Sequence, residues 1–122
     1  MANPSGRAGR TWENRVRDYM SDIWLGAERR RLTGRFDKGD LINTGDWAVE
    51  CKNRKIIDWS GALKEAEQEQ KHLGAMWHVA IINRRNHSID KAYALMTFQQ
   101  YRELLIYIAD LEELAHDPDS AA

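Results

Sequence analysis

Apolar positions recur every three to four residues in three stretches of this chain, and alternate or cluster in the segments between them. The two rhythms separate helices from strands. Trp12, Val16, Tyr19, Met20 and Ile23 keep the helical period, so a helix begins near Thr11 and closes at Gly26, where a C-terminal cap belongs. Residues 1–10 are small, polar and basic, and read as a mobile arm. "ERRRLTGRFDKGD" has no period and two glycines, which predicts a short strand and a loop. Asp40–Ile42 and Trp47–Lys52 flank "NTGD", a turn sequence, and predict a β-hairpin. In its second strand Trp47, Val49 and Cys51 point one way, and Ala48, Glu50 and Lys52 the other.

"DWSGALKEAEQEQKHLG" predicts a helix to Leu73, stopped by Gly74. Its buried stripe is Trp59, Ala62, Leu63, Ala66, Gln70 and Leu73. "MWHVAIIN" and "AYALMT" read as strands. Thr97 and Gln100 form a capping box for a last helix whose stripe is Phe98, Tyr101, Leu104, Leu105, Ile108 and Leu111. That stripe, with Trp59 and Trp77, is expected in the core. The order helix, strands, helix, strand, strand, helix predicts an α/β sandwich, a central mixed sheet with helices on both faces. One domain spans 11–115, and residues 116–122 fray.

Composition narrows the class. A chain of 122 residues with 43% apolar and 30% charged positions suits one soluble domain. No apolar run is long enough for a membrane span, and the N-terminus lacks an apolar signal region. One cysteine excludes an internal disulfide or a cysteine-based zinc site, so a cytoplasmic location is expected. The four histidines show no ligand spacing; His78 falls in a strand and reads as structural. The net charge of −1 does not announce a nucleic-acid partner; its distribution says more, and is equally open to a mixed solvated surface and to a phosphate-facing strip. Basic residues gather at 29–31, 35, 38, 52–55 and 84–85, while acids collect near 65–69 and in the tail, as expected for a protein that meets phosphates with one face.

Within the hairpin the charges are placed unusually. Asp40 precedes an apolar pair, and Glu50 and Lys52 share one face of the next strand. The turn brings Asp40 opposite Val49 or Glu50, which puts both carboxylates at the same end of the hairpin. Two carboxylates on adjacent strands make the oxygen-rich, partly open site that Mg²⁺ prefers. An ammonium beside them can oppose the charge that develops on phosphate. Glu13, on the flank of the first helix's buried stripe, is a further candidate ligand. Gln70, a polar residue inside an apolar stripe, is a candidate for orienting water or phosphate.

Asp40, the turn, "AVECK" and the preceding helical Glu13 resemble the PD-(D/E)xK nuclease superfamily. Its pattern is an acid on one strand and (D/E)-x-K on the next, within an αβββαβ core. Glycine stands here where the proline before the acid is usual. "RRRLTGR" before the acid and "ECKN" after the turn look most like the Holliday junction resolvase branch, including bacteriophage members, which would place the chain in a host cytoplasm. The resemblance covers roughly residues 11–83, leaving the last strand and helix as an addition. It implies a restriction-endonuclease-like fold and Mg²⁺-dependent hydrolysis of DNA, with Mn²⁺ able to substitute. Asp40, Glu50 and the Cys51 carbonyl would hold the metal, joined by Glu13. Lys52 would serve the attacking water and the developing charge. Arg30, Arg31, Arg35, Lys38, Arg54 and Lys55 would contact the backbone of a branched DNA. Two symmetric cuts imply a homodimer, and no small-molecule cofactor or membrane is implied.

Blander readings stand beside these. Asp40, Glu50 and Lys52 would form a structural ion pair on a half-exposed sheet, although two acids and one lysine leave it net negative. Glu13 would be an acid favoured by a helix N-terminus, and Gln70 a buried amide bonded to backbone. Asp37 and Asp46 rival Asp40, but one lies in a loop and the other in the turn. A nickase or exonuclease on linear or flapped DNA is the nearest functional competitor, and a non-catalytic DNA-binding protein of the same fold the next. Five tryptophans are many for this length, and those left exposed, or the last helix, offer a dimer surface.

Overall fold

The computed structural model describes residues 4–30 and 40–116. In chain order it forms α1 (Pro4–Tyr19), β1 (Glu28–Arg29), β2 (Leu41–Ile42), β3 (Trp47–Lys52), α2 (Trp59–Leu73), β4 (Trp77–Ile82), a 3₁₀ turn (Ile89–Lys91), β5 (Tyr93–Leu95) and α3 (Phe98–His116). β3 lies parallel to β4, with Trp47 opposite Trp77 and Lys52 opposite Ile82, and β5 runs antiparallel on the other edge of β4. β1 and β2 make a separate antiparallel pair. The described residues are therefore mixed α/β, with three helices, one mixed three-stranded sheet and one small ribbon.

Alternation along β3 and β4 gives the larger sheet two unlike faces. On one, Trp12 and Val16 of α1 pack with Leu41, Val49, Cys51 and Val79, and Trp12 donates its indole N–H to the Ile81 carbonyl at 3.1 Å. On the other, α2 sets Ala62 and Ala66 against Ala80 and Ile82. Alanine on the helix and alanine on the strand let the two backbones come close. The expected sandwich, with a helix on each face, is present.

The boundaries of α2 follow local chemistry. Asp58 caps its start by accepting the Gly61 N–H at 2.9 Å, and Gly74, at φ 70°, ends it in the left-handed region that glycine tolerates best. α1 differs from expectation at both ends. It starts at Pro4 rather than near Thr11, since proline fits a first helical turn, where its missing N–H is not needed. It stops at Tyr19, ahead of Gly26, and Tyr19 and Ile23 are exposed rather than buried.

The hairpin is only partly formed. Asp40 donates its N–H to the Val49 carbonyl at 2.9 Å, which realises the register opposite Val49. Asn43 and Gly45 both have positive φ, the turn spans four residues, and β2 leaves β3 to pair with β1.

α3 also departs from the pattern. Phe98, Tyr101, Leu105, Ile108 and Leu111 are exposed, and only Gln100 of this helix is buried. The expected capping box is half made: Thr97 accepts the Gln100 N–H, while the Gln100 side chain turns to the sheet. There its amide accepts the His78 N–H at 2.8 Å and donates to the His78 carbonyl at 2.7 Å. Trp77 is buried as expected, whereas Trp59 lies on the surface against Tyr93. Among the described residues no helix is long and apolar enough to cross a membrane.

Candidate active site

The C-terminal end of β3 opens into a cleft of about 680 Å³ lined by Glu13, Asp40, Glu50, Cys51, Lys52, Asn53, Arg54, Lys55 and Arg85, among others. Three elements converge there. β3 supplies Glu50 and Lys52, α1 supplies Glu13, and Asp40 enters from the segment before β2. Asp40 is fixed twice: its backbone N–H bonds to Val49, and its Oδ2 accepts the Cys51 N–H at 2.7 Å. Its carboxylate is thereby tied across the strand that carries Glu50.

Glu50 is almost fully enclosed. Its Oε1 lies 3.1 Å from Lys52 Nζ, and its Oε2 is buried without a hydrogen-bond partner among the described residues. Burial first, and the nearby Asp40 second, push its carboxyl up to about 9, against the pull of Lys52. Burial and Asp40 likewise raise Glu13 to about 7, partly offset by Arg29 and Arg10. Arg29 Nε stands 3.8 Å from Glu13. Three acids thus crowd one cleft, and the charge of Asp40 adds to burial in holding Glu13 and Glu50 protonated, the electrostatic condition that a bound cation relieves.

Lys52 is the ammonium of the group. Burial acts against its charge, but the hydrogen bond to Glu65 and the proximity of Glu50 outweigh it and raise the group above its ordinary value. Glu65 of α2 is 2.5 Å from Nζ. The Cys51 thiol is buried and pushed up, chiefly by burial, so it stays protonated and inert. Cys51 enters this site through its backbone.

The remaining candidates divide. Arg54 and Lys55 rim the cleft and are exposed. Arg30 lies beside it through its backbone N–H, which donates to the Asp40 carbonyl at 2.8 Å. Arg31, Arg35, Lys38 and the rival Asp37 lie outside the described residues. Asp46 accepts the Met76 N–H at 2.9 Å and belongs to the turn.

Gln70 is not brought to this site, which corrects the role expected for it. Its Oε1 meets His78 Nδ1 at 2.7 Å and its Nε2 donates to the Met76 carbonyl at 2.8 Å, both at the far end of α2. His78 Nε2 accepts the Thr97 N–H, so Nδ1 carries the ring proton. Burial lowers the His78 pKa, in keeping with a neutral structural ring.

The structure adds three residues to the site: Arg85, which the sequence placed only in a general basic strip, and Glu65 and Glu69, which it counted only as acidic surface. Arg85 lines the cleft and is held by Asn53, its Nε donating to Asn53 Oδ1 at 3.2 Å and a terminal nitrogen to the Asn53 carbonyl at 3.2 Å. Glu65 and Glu69 reach Glu50 from α2. Their signal was the spacing from Ala62 through Ala66 to Glu69, steps of four and three that keep one helix face. The chain matches no protein-family model, no curated protein and no solved structure.

Proposed function

We propose that this protein is a metal-dependent DNA endonuclease with a restriction-endonuclease-like fold, acting on branched DNA. The observation that carries the reading is the meeting of Glu13, Asp40, Glu50 and Lys52 in one cleft whose rim holds Arg54, Lys55 and Arg85. The element order from α1 through β4 is the αβββαβ order that the reading requires. The acids fit a hard divalent cation: they offer only oxygen, Asp40 and burial suppress the ionisation of Glu50 and Glu13, and Glu50 Oε2 is buried with no hydrogen-bond partner among the described residues. Asp40, Glu50 and the Cys51 carbonyl would hold Mg²⁺ or Mn²⁺, with Glu13 beside them.

When bound, the cation supplies positive charge to the phosphate and acidity to water. The chain's own residues do the rest. Lys52, held by Glu50, presents an ammonium where negative charge grows as the water oxygen bonds to phosphorus and the ester oxygen departs. Arg54, Lys55 and Arg85 are spaced along the rim to meet backbone phosphates, which position the duplex without reading its sequence. Resolving a junction takes two symmetric cuts, and the exposed apolar face of α3 supports a twofold homodimer as the working unit.

The test compares four-way junction, flap, linear duplex and single-stranded DNA, with Mg²⁺ or with EDTA. Glu50→Ala and Lys52→Ala run in parallel. Paired nicks at the junction, abolished by EDTA and reduced about 10²–10³-fold or more in both variants, are expected. Undiminished cutting in EDTA or by both variants would sink the mechanism. Cutting confined to linear ends would replace the junction with an exonuclease substrate.

A further inference from the structure

Glu50, Glu65 and Glu69 place one carboxylate oxygen each within 4.8 Å of one another. Oxygens on opposite sides of a divalent cation, each about 2.1–2.5 Å from it, are separated by about that distance. This cluster lies on the α2 face of the sheet, with Glu50 as its one residue in common with the cleft. A cluster of acids is common on protein surfaces and by itself says little. This one is different because Glu69 has no exposed surface, and neither of its carboxylate oxygens has a hydrogen-bond partner among the described residues. Glu50 Oε2, also buried, is in the same condition. A carboxyl group enclosed this way is costly, and among the described residues no donor offsets it.

Lys52 answers part of the charge. Its ammonium contacts Glu50 Oε1 and Glu65 Oε2, which leaves Glu69 without a partner among the described residues. A second cavity, of about 240 Å³, lies on this side of Lys52 and is lined by Lys52, Arg54, Asp58 and Glu65 among others. It gives solvent and ions a route to Glu65, whose side chain is half exposed.

From this we infer that Glu50, Glu65 and Glu69 form a second divalent-cation site, separate from the one at Asp40, with Glu50 bridging the two. Its ligands are all carboxylate oxygens, so it selects hard cations of the Mg²⁺, Mn²⁺ and Ca²⁺ class. Glu69 anchors it from inside the fold, and Glu65 closes it from the solvent side. Occupying it draws Glu65 away from Lys52, whose ammonium then answers to Glu50 and the cleft alone. The inference rests on the nuclease reading only through the shared Glu50.

The test is a Mn²⁺ titration of the full chain, followed by the electron paramagnetic resonance signal of the free ion, with no DNA present. Wild type is expected to take up two ions, and Asp40→Asn and Glu69→Gln one each. Glu65→Gln, altered at a half-exposed position, also takes up one and decides the matter where Glu69→Gln does not fold. Uptake that survives intact in Glu65→Gln and Glu69→Gln but falls in Asp40→Asn overturns the second site and leaves the cleft reading standing. Uptake that falls in Glu65→Gln and Glu69→Gln but not in Asp40→Asn supports the second site and removes the cleft metal. No uptake by wild type overturns both.

Discussion

The two faces of the central sheet are built on opposite plans. The face under α1 is filled with large apolar groups: Trp12, Val16, Leu41, Val49 and Val79, with Met20, Trp24 and Trp47 packed around them. The face under α2 holds alanines at 62, 66 and 80 with Ile82, and beyond them the buried carboxylates of Glu50 and Glu69. One face removes apolar area from water and stabilises the fold. The other gives up that area so that the helix can approach and bring its glutamates to β3. Stability is concentrated on the first face and buried carboxyl groups on the second, although Glu13 reaches the cleft from α1 and both faces hang from the same two strands.

The largest expected effect falls on the apolar face. Trp12→Ala should cost about 3–5 kcal/mol in urea unfolding, because it removes the largest fully buried side chain and its indole bond to Ile81. A loss below about 1 kcal/mol would mean that the α1 face does not dominate stability.

The acids of the cleft should show themselves through pH. Folded Glu50 titrates near 9 and Glu13 near 7, both above the ordinary 4.5 of the unfolded chain. Between those limits the native chain holds protons that the unfolded chain has released, so stability contributed by the neutral acids falls as pH rises. In EDTA the urea midpoint should therefore drop from about pH 5 to about pH 9, and Glu50→Gln should flatten most of that slope while abolishing cleavage. A midpoint that rises over the same range would show that these acids are stabilised as anions. Saturating Mn²⁺ should restore the midpoint at the alkaline end, where the carboxylates are free to bind it.

The smallest effect is expected at the rim. Arg54→Ala and Arg85→Ala should weaken binding to every DNA tested by a similar factor, and each should reduce the salt dependence by about one ion. Sequence-selective weakening would show that the rim reads bases as well as phosphates.

How legible this division was in the sequence depended on local signals. α2 was readable because Asp58 and Gly74 mark its two ends, and the hairpin because Asn43 and Gly45 supply the turn. Asp40, Glu50 and Lys52 could be placed together because period-two alternation and a short turn leave little freedom. Glu69 was hidden by its neighbours. In "KEAEQEQ" one charge more looks like solvated surface, and a shift of one residue in helical phase exchanges Glu69 for Gln70 in the buried stripe. α3 was misplaced for the converse reason: its leucine stripe shows that the helix has an apolar face, but periodicity does not say that this chain's own sheet will cover it.

Gln100 has a consequence beyond fastening α3. β5 pairs with β4 only at Ala80, Ile81 and Ile82, so the N–H and C=O of His78 would otherwise face outward from an open sheet edge. The Gln100 amide offers one acceptor and one donor in the positions a neighbouring strand would fill, and so occupies that rung with a side chain. A strand from another molecule would have to displace it before the sheet could grow there. The glutamine thus acts as a stopper against edge-to-edge association, and Gln100→Ala should make the protein more prone to aggregate.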